Sequence, residues 1–367
     1  MTAFKHRLRL KTKRSGLGGV PTVKNGQAES GSLISRRTLV ASAAAASIFG
    51  PSILKASSLE PLSVRVDFAP WGVHAGLHLA QKKGWFAQAG LDVDLQDGTG
   101  TLNTINLVGA GRSDVGLVQL GPMAIGRSSG VPVKSFAGFL RKIDLAILVD
   151  AANGPKTPAD LAGRKIVCFA GSTAAPFIDV FLRRLGLERG EGPKQVNFVM
   201  VSPPSMVATY ASGGADGFMS LKEFGEPLVM KTRPAHSFVA ADHGIAYPSY
   251  GLMATDDTIE KRSSALKKLT ETQVRAWTYI FADDKNIDEA ADAIIAQRPN
   301  NQLDRDVLKL QIAQCREFLD TPNTQGHSLG WQSGEDWKLA VKSMTEAGVL
   351  KSELPVESFF TNALVEA

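Results

Sequence analysis

Two kinds of apolar spacing take turns along residues 63–255. In one, apolar and polar residues alternate at every step, as on a strand with one buried face. In the other, apolar residues return every three or four positions, as on a helix. Residues 63–68 (SVRVDF) are of the first kind. Residues 74–89 (HAGLHLAQKKGWFAQA) are of the second, closed by Gly90, where a helix end favours glycine. Further strands are expected at 91–95, 115–118, 131–140 and 145–150, with helices at 101–111 and 123–129. The stretch 153–158 (NGPKTP) interrupts the pattern with turn-forming residues. After a capped turn at 159–163, strands are expected at 165–169, 195–201, 216–219 and 237–241, and helices at 174–185, 205–212 and 223–230. From residue 257 onward the spacing is helical: 259–282, 287–297, 304–318, 334–347 and 356–365.

Strand–helix alternation predicts an α/β fold with parallel sheets. The break near 153 and the return near Tyr247 and Tyr250 predict a second unit inserted into a first. Lobe one then comprises residues 59–152 and 250–367, with the helical C-terminal extension packed on it, and lobe two residues 153–249. Ligands of such sheets bind outside the carboxyl ends of the strands. That places a site in the cleft between the lobes and makes closure a hinge motion.

Charge changes this picture at one end only. Residues 1–58 hold ten Lys/Arg and one acid, so a net +9 there against +5 overall leaves −4 for the rest. The body is mildly acidic and gives no support to nucleic-acid binding. Cys168 and Cys315 lie far apart, with neither disulfide-scaffold nor metal-ligand spacing, and read as buried apolar residues. The basic segment runs into Ser35-Arg36-Arg37-Thr38-Leu39-Val40 and then an Ala/Ser-rich apolar stretch broken by Gly50-Pro51. That stretch falls short of the roughly 20 strongly apolar residues a membrane span needs. It resembles a twin-arginine export signal, a receptor-read address; the alternative is a basic amphipathic tail. Residues 1–58 are therefore expected to be a signal peptide, handed to the twin-arginine translocase and removed near Leu59, leaving a protein of the bacterial periplasm.

The segment Ala80–Val93 (AQKKGWFAQAGLDV), then 107–116 (LVGAGRSDVG), KTPADLAGRKIVCFAGST and ASGGADGFMSLKEFGEP together resemble the periplasmic substrate-binding proteins of ABC importers. The similar branch handles nitrate, sulfonates, taurine, thiamine pyrimidine precursors and riboflavin. The resemblance implies a two-lobe (type II) clamshell that catalyses nothing, captures a small solute, and delivers it to permease subunits in the inner membrane. It implies no cofactor and no metal, and a monomer is the simplest form for such a carrier. Pyrimidine synthases on the same fold carry a C-C-C-F motif, where this chain has Val167-Cys168-Phe169-Ala170. No H-E-x-x-H element supports an enzyme either.

Candidate ligand contacts follow the strand ends. Trp71 either stacks on a planar ligand or packs on its lobe, and His74 either hydrogen-bonds the ligand or caps a helix. Gly98 and Thr99 open a helix, as do Gly171, Ser172 and Thr173, either cradling a polar group with backbone N–H groups or forming ordinary caps. Gln119 and Leu120 follow the third strand. Met219, Ser220 and Glu223 follow the strand of lobe two, where Glu223 either accepts N–H bonds from an aminopyrimidine or is a solvated acid at a helix start. Arg141, with Lys142, is either the opposite possibility, an anion clamp, or a surface charge near the hinge. Tyr250, with Tyr247, either lines the cleft floor or packs at the crossing. A nitrogen heterocycle is the favoured ligand, and a sulfonate, taurine, nitrate or aromatic carboxylate the alternative.

Overall fold

The computed structural model describes residues 59–169, 172–352 and 354–365. The expected signal peptide lies outside them, and so does Gly171. The elements run β1 (Glu60–Val66), α1 (Ala75–Lys82), α2 (Trp85–Gln88), β2 (Leu91–Gln96), α3 (Thr101–Gly109), β3 (Val115–Gln119), α4 (Leu120–Ser128), β4 (Val133–Leu140), β5 (Leu145–Asp150) and β6 (Lys165–Phe169). Next come α5 (Ile178–Arg184), β7 (Asn197–Val201), α6 (Pro203–Ala211), β8 (Gly217–Leu221), α7 (Lys222–Val229), β9 (Ala235–Val239) and β10 (Tyr250–Thr255). The helical end holds α8 (Asp256–Lys261), α9 (Ser263–Ala282), α10 (Asp284–Gln297), α11 (Arg305–Gln314) and α12 (Gly334–Glu346).

The strands form two five-stranded sheets, ordered β2-β1-β3-β10-β4 and β7-β6-β8-β5-β9. The molecule has the two-lobe α/β architecture. The sheets are mixed rather than purely parallel. β1 pairs in parallel with β2 and β3, and β6 with β7 and β8, but β10 runs antiparallel to β3 and β4, and β5 antiparallel to β8 and β9. The reason is the crossing. β5 and β10 are the strands that enter a sheet directly from the other lobe. They start at the cleft, where β1, β3, β6 and β8 end. The expected boundary near 153 also sits too late, because β5 belongs to the second sheet, so the crossing segments are residues 141–144 and 240–249. β10 itself gave no separate strand expectation: its run YGLMAT is buried on both faces and does not alternate.

Successive residues of a strand enter different cores, as the two-residue repeat requires. On β5, Ala146 and Leu148 join one apolar cluster and Leu145, Ile147 and Val149 the other. Helices α9 and α10 pack on α1. Residues 356–365 form only a short turn at Val356–Ser358. The tail then makes one bridge to the edge strand β4, between Phe360 and Ser135, with Ser135 N–H donating to Phe359 O (2.9 Å) and Thr361 N–H to Ser135 O (2.9 Å), and turns again at 363–365. Covering an exposed edge in this way satisfies its free backbone groups. Among the described residues no helix is long and apolar enough to cross a membrane.

Candidate functional site

β1 ends at Val66, and the next residue, Asp67, is the hub of a buried network. Its Oδ1 lies 2.9 Å from His74 Nε2, and its Oδ2 accepts from Thr101 Oγ1 (2.9 Å) and from the Tyr250 hydroxyl (2.8 Å). Gln119 Nε2 in turn donates to the Tyr250 oxygen (3.2 Å). Four strand ends of the first sheet are thereby joined through one carboxylate. Gly98 allows this: a Cβ there would meet Val66 O at 2.2 Å and Asp67 backbone at 2.5 Å. Gly100 N–H donates to Asp67 O at 2.7 Å. Gly98 thus holds the β2–α3 loop against the hub, whereas Thr99 is exposed and accepts from Asn103.

Above this network stands an aromatic group. Trp71, only 4% exposed, meets Tyr250, His74 and Phe224 edge-on, with centroids 5.7, 5.7 and 5.1 Å away. Phe68 meets Phe224 edge-on at 6.5 Å. Trp71 and Tyr250 come from the first sheet's lobe and Phe224 from α7, beside the second sheet, so the cluster spans the cleft.

Glu223 opens α7 and is fully buried. Among the described residues neither of its carboxylate oxygens receives a hydrogen bond from a donor. It faces the carboxyl of Asp144, in the first crossing segment, whose Oδ2 accepts from Ser249 Oγ (2.6 Å) in the second. Two carboxyls can bond one another only while one holds a proton. Burial, and then the neighbouring Asp144 charge, push the Glu223 carboxyl well above the usual range; burial also raises Asp144. Charged partners facing the pair are few: Lys222 acts on Glu223, and Asp67 on Asp144. The pair is a buried carboxyl site, and Phe224, next in sequence to Glu223, meets Trp71 of the other lobe.

The expected anion clamp does not form. Arg141 is buried and spends its guanidinium on Leu319 O (2.7 Å), Ser328 O (2.9 Å), Trp331 O (3.3 Å) and Asp320. Lys142 pairs with Asp242 at 3.4 Å. Ser172 Oγ lies 3.2 Å from Cys168 Sγ and accepts from Ala175 N–H (3.1 Å), a capping use of the hydroxyl. Thr173 is half-buried. Leu120 and Met219 are core residues, the former donating its N–H to Ser249 O (2.6 Å). Ser220 is buried near the end of β8, paired with Ala146. Tyr247 packs on Phe177 (5.0 Å) and over Gly121, away from the network. Of the expected contacts, the structure brings together Trp71, His74, Gln119, Tyr250 and Glu223. It adds Asp67, Asp144 and Phe224, which the sequence reading passed over. Asp67 lies one residue beyond a strand and Phe224 one beyond Glu223, and those positions were the available signal.

The family model described as NMT1/THI5 like matches residues 71–287, from the Trp71 loop to the start of the helical end. The chain belongs to the NMT1/THI5 like family. Relatives of this family member include the formylaminopyrimidine-binding protein of Halalkalibacterium halodurans, 24% identical over 311 residues, covering 83% of this chain and 91% of that one. A 4-amino-5-hydroxymethyl-2-methylpyrimidine phosphate synthase of Saccharomyces cerevisiae is 23% identical over 295 residues, covering 77% and 81%. In fold, the NMT1/THI5 like chain is similar to the periplasmic aliphatic sulphonate binding protein SsuA of Escherichia coli. There the TM-score is 0.62 at 14% identity, over 82% of this chain and 91% of that one.

Proposed function

We propose that this protein is the extracytoplasmic solute-binding component of an ABC importer, and that its solute is an aminopyrimidine. The observation that carries the reading is Glu223, buried, facing Asp144, and without a donor among the described residues. A buried polar group left unpaired is costly; an exocyclic amino group would donate to one carboxyl oxygen, and the carboxyl, when it holds its proton, would donate to the adjacent ring nitrogen. The aromatic walls suit a planar ring. An oxyanion ligand is disfavoured, since Asp67 and the charge left on the Asp144–Glu223 pair would repel it and Arg141 is turned away. A formylaminopyrimidine-binding protein among the relatives supports this reading.

Binding follows from the topology. Trp71, His74 and Tyr250 belong to one lobe and Glu223 and Phe224 to the other, so opening at residues 141–144 and 240–249 parts the walls and admits a ring. Closure then places Glu223 on the amino edge and Trp71 on the face. Asp67 holds the Tyr250 hydroxyl and His74 imidazole in fixed orientations, and Gly98 keeps Asp67 in place. The resemblance to synthases leaves catalysis as a second reading, but the thiols here are Cys168 and Cys315, both buried. The reading accords with an export signal at residues 1–58, with permease subunits as partners, and with a lone chain as the diffusing form.

Glu223→Leu keeps much of the bulk and removes the carboxyl altogether. In a thermal-shift titration with 4-amino-2-methylpyrimidine derivatives, the parent should gain stability with ligand. At 100 times the dissociation constant the gain should be about 2.7 kcal/mol. The Leu variant should gain little or nothing. An equal shift in both proteins would remove Glu223 from the site.

A further inference from the structure

Helix α11 belongs by packing to the first lobe, where it lies on α10 and on the turn Gly72–His74, yet it also packs along α7 of the second. The polar contacts between α7 and α11 are ordered. Lys222, at the start of α7, pairs with Glu317, just past the end of α11, at 2.5 Å. Lys231, just past the end of α7, pairs with Asp304 (2.9 Å), the N-cap of α11, and with Asp306 (3.0 Å). The two helices therefore run antiparallel and are pinned at both ends. Between the pins, Gln314 Nε2 donates to Glu226 Oε2 (3.0 Å).

Gln311 is the buried member of this seam, 2% exposed. Its Oε1 accepts from Gly72 N–H (3.0 Å) and its Nε2 donates to Phe224 O (3.3 Å). Gly72 follows Trp71 and Phe224 follows Glu223, so one amide ties the loop bearing one wall to the helix bearing the acceptor. Only a group that both accepts and donates can do this. Gly72 has no room for a side chain, as a Cβ would meet Gln311 Cβ at 2.4 Å.

We infer that α7 and α11 form a clasp across the cleft, with Gln311 as the positioning residue that sets the Trp71 loop against the Glu223 helix. The clasp has a near and a far end. Lys222 N–H donates to Asp144 O (2.9 Å) and Lys142 N–H to Phe318 O (3.0 Å), so the Lys222–Glu317 end sits at the crossing segment 141–144. Lys231 lies at the other end of α7, about 12 Å further on at 1.5 Å per residue. Opening about the crossing moves that end most and breaks its pairs first. Exposed pairs contribute little singly; here they align two helices, and the buried amide makes the connection specific. The clasp acts on the empty protein and does not depend on which solute is carried.

The test is double electron–electron resonance on the unliganded full chain, with nitroxide labels on cysteines replacing Asp92 and Glu191, both exposed. Cys168 and Cys315 are buried. Gln311→Met keeps the volume and removes both hydrogen bonds. It should raise the long-distance population relative to the short one roughly tenfold, the scale of two such bonds. The folded fraction should stay that of the parent. Lys231→Ala, at an exposed position, should shift the ratio roughly twofold. Raising NaCl from about 0.05 to about 0.5 M should open the parent more than this variant. Parent-like distances in both variants would overturn the clasp. If Gln311→Met fails to fold, Lys231→Ala decides alone, with no change in distance or salt response counting against it. None of these outcomes bears on the aminopyrimidine reading, which is tested with ligand.

Discussion

Glu223 shows how one side chain's surroundings narrow a ligand class. Its place after β8 was legible in the sequence, because a strand end beside a helix start is where α/β proteins put ligands. Its role was not, because an acid at a helix N-terminus is equally a favourable partner of the helix dipole. Burial decides between these: the side chain is fully buried and faces Asp144 of the first crossing segment. The consequence is a pH dependence. The folded-state carboxyl is raised above its ordinary value of 4.5 by burial and by Asp144. The folded protein therefore holds the proton more tightly than the unfolded chain. Stability from this group is present below about 4.5 and is lost as the pH rises through the raised value. Glu223→Gln removes that loss. Thermal unfolding without ligand should show the variant more stable than the parent at pH 8, with the gap closing toward pH 4.5. A gap that widened on acidification would contradict the assignment. Gln311 shows the opposite limit of sequence reading: it stands 239 positions from Gly72, and no local pattern connects them.

At the scale of elements, β1 through β9 were legible because their apolar runs are short and bounded by turn residues. The errors have physical causes. β10 is buried on both faces and lacks alternation. The chain after residue 355 is apolar enough for a helix, yet stops after one turn and bridges the free edge of β4 at Ser135, which gives its backbone partners there. Arg141 was the most misleading candidate. A charged residue after a strand suggests a clamp, but the segment at 319–331 turns its carbonyls inward and takes up the guanidinium. The element-scale prediction follows. Arg141→Met should remove the guanidinium bonds to the Leu319, Ser328 and Trp331 carbonyls and destabilise the fold by about 3 kcal/mol, the scale for losing bonds to a charged group. Urea unfolding should show this, while affinity for an aminopyrimidine at 20 °C or so stays within about twofold. A variant of full stability that lost its ligand would restore the anion-clamp reading.

For the whole molecule, the two-lobe arrangement was foreseen from the order of strands and helices, and from the run of motifs between Ala80 and Pro227. The mixed sheets and the position of the crossing needed the structure, because only pairing shows that β5 and β10 enter from the cleft. The account's central claim is that the cleft is an acceptor site for a planar nitrogen ring. Isothermal titration calorimetry of the purified protein tests it most directly, with an aminopyrimidine in one series and taurine, an alkanesulfonate and nitrate in the other. One-to-one binding of the aminopyrimidine, with no heat from the anions, is the predicted result. Saturable binding of a sulfonate or nitrate, with none for any pyrimidine, would contradict it.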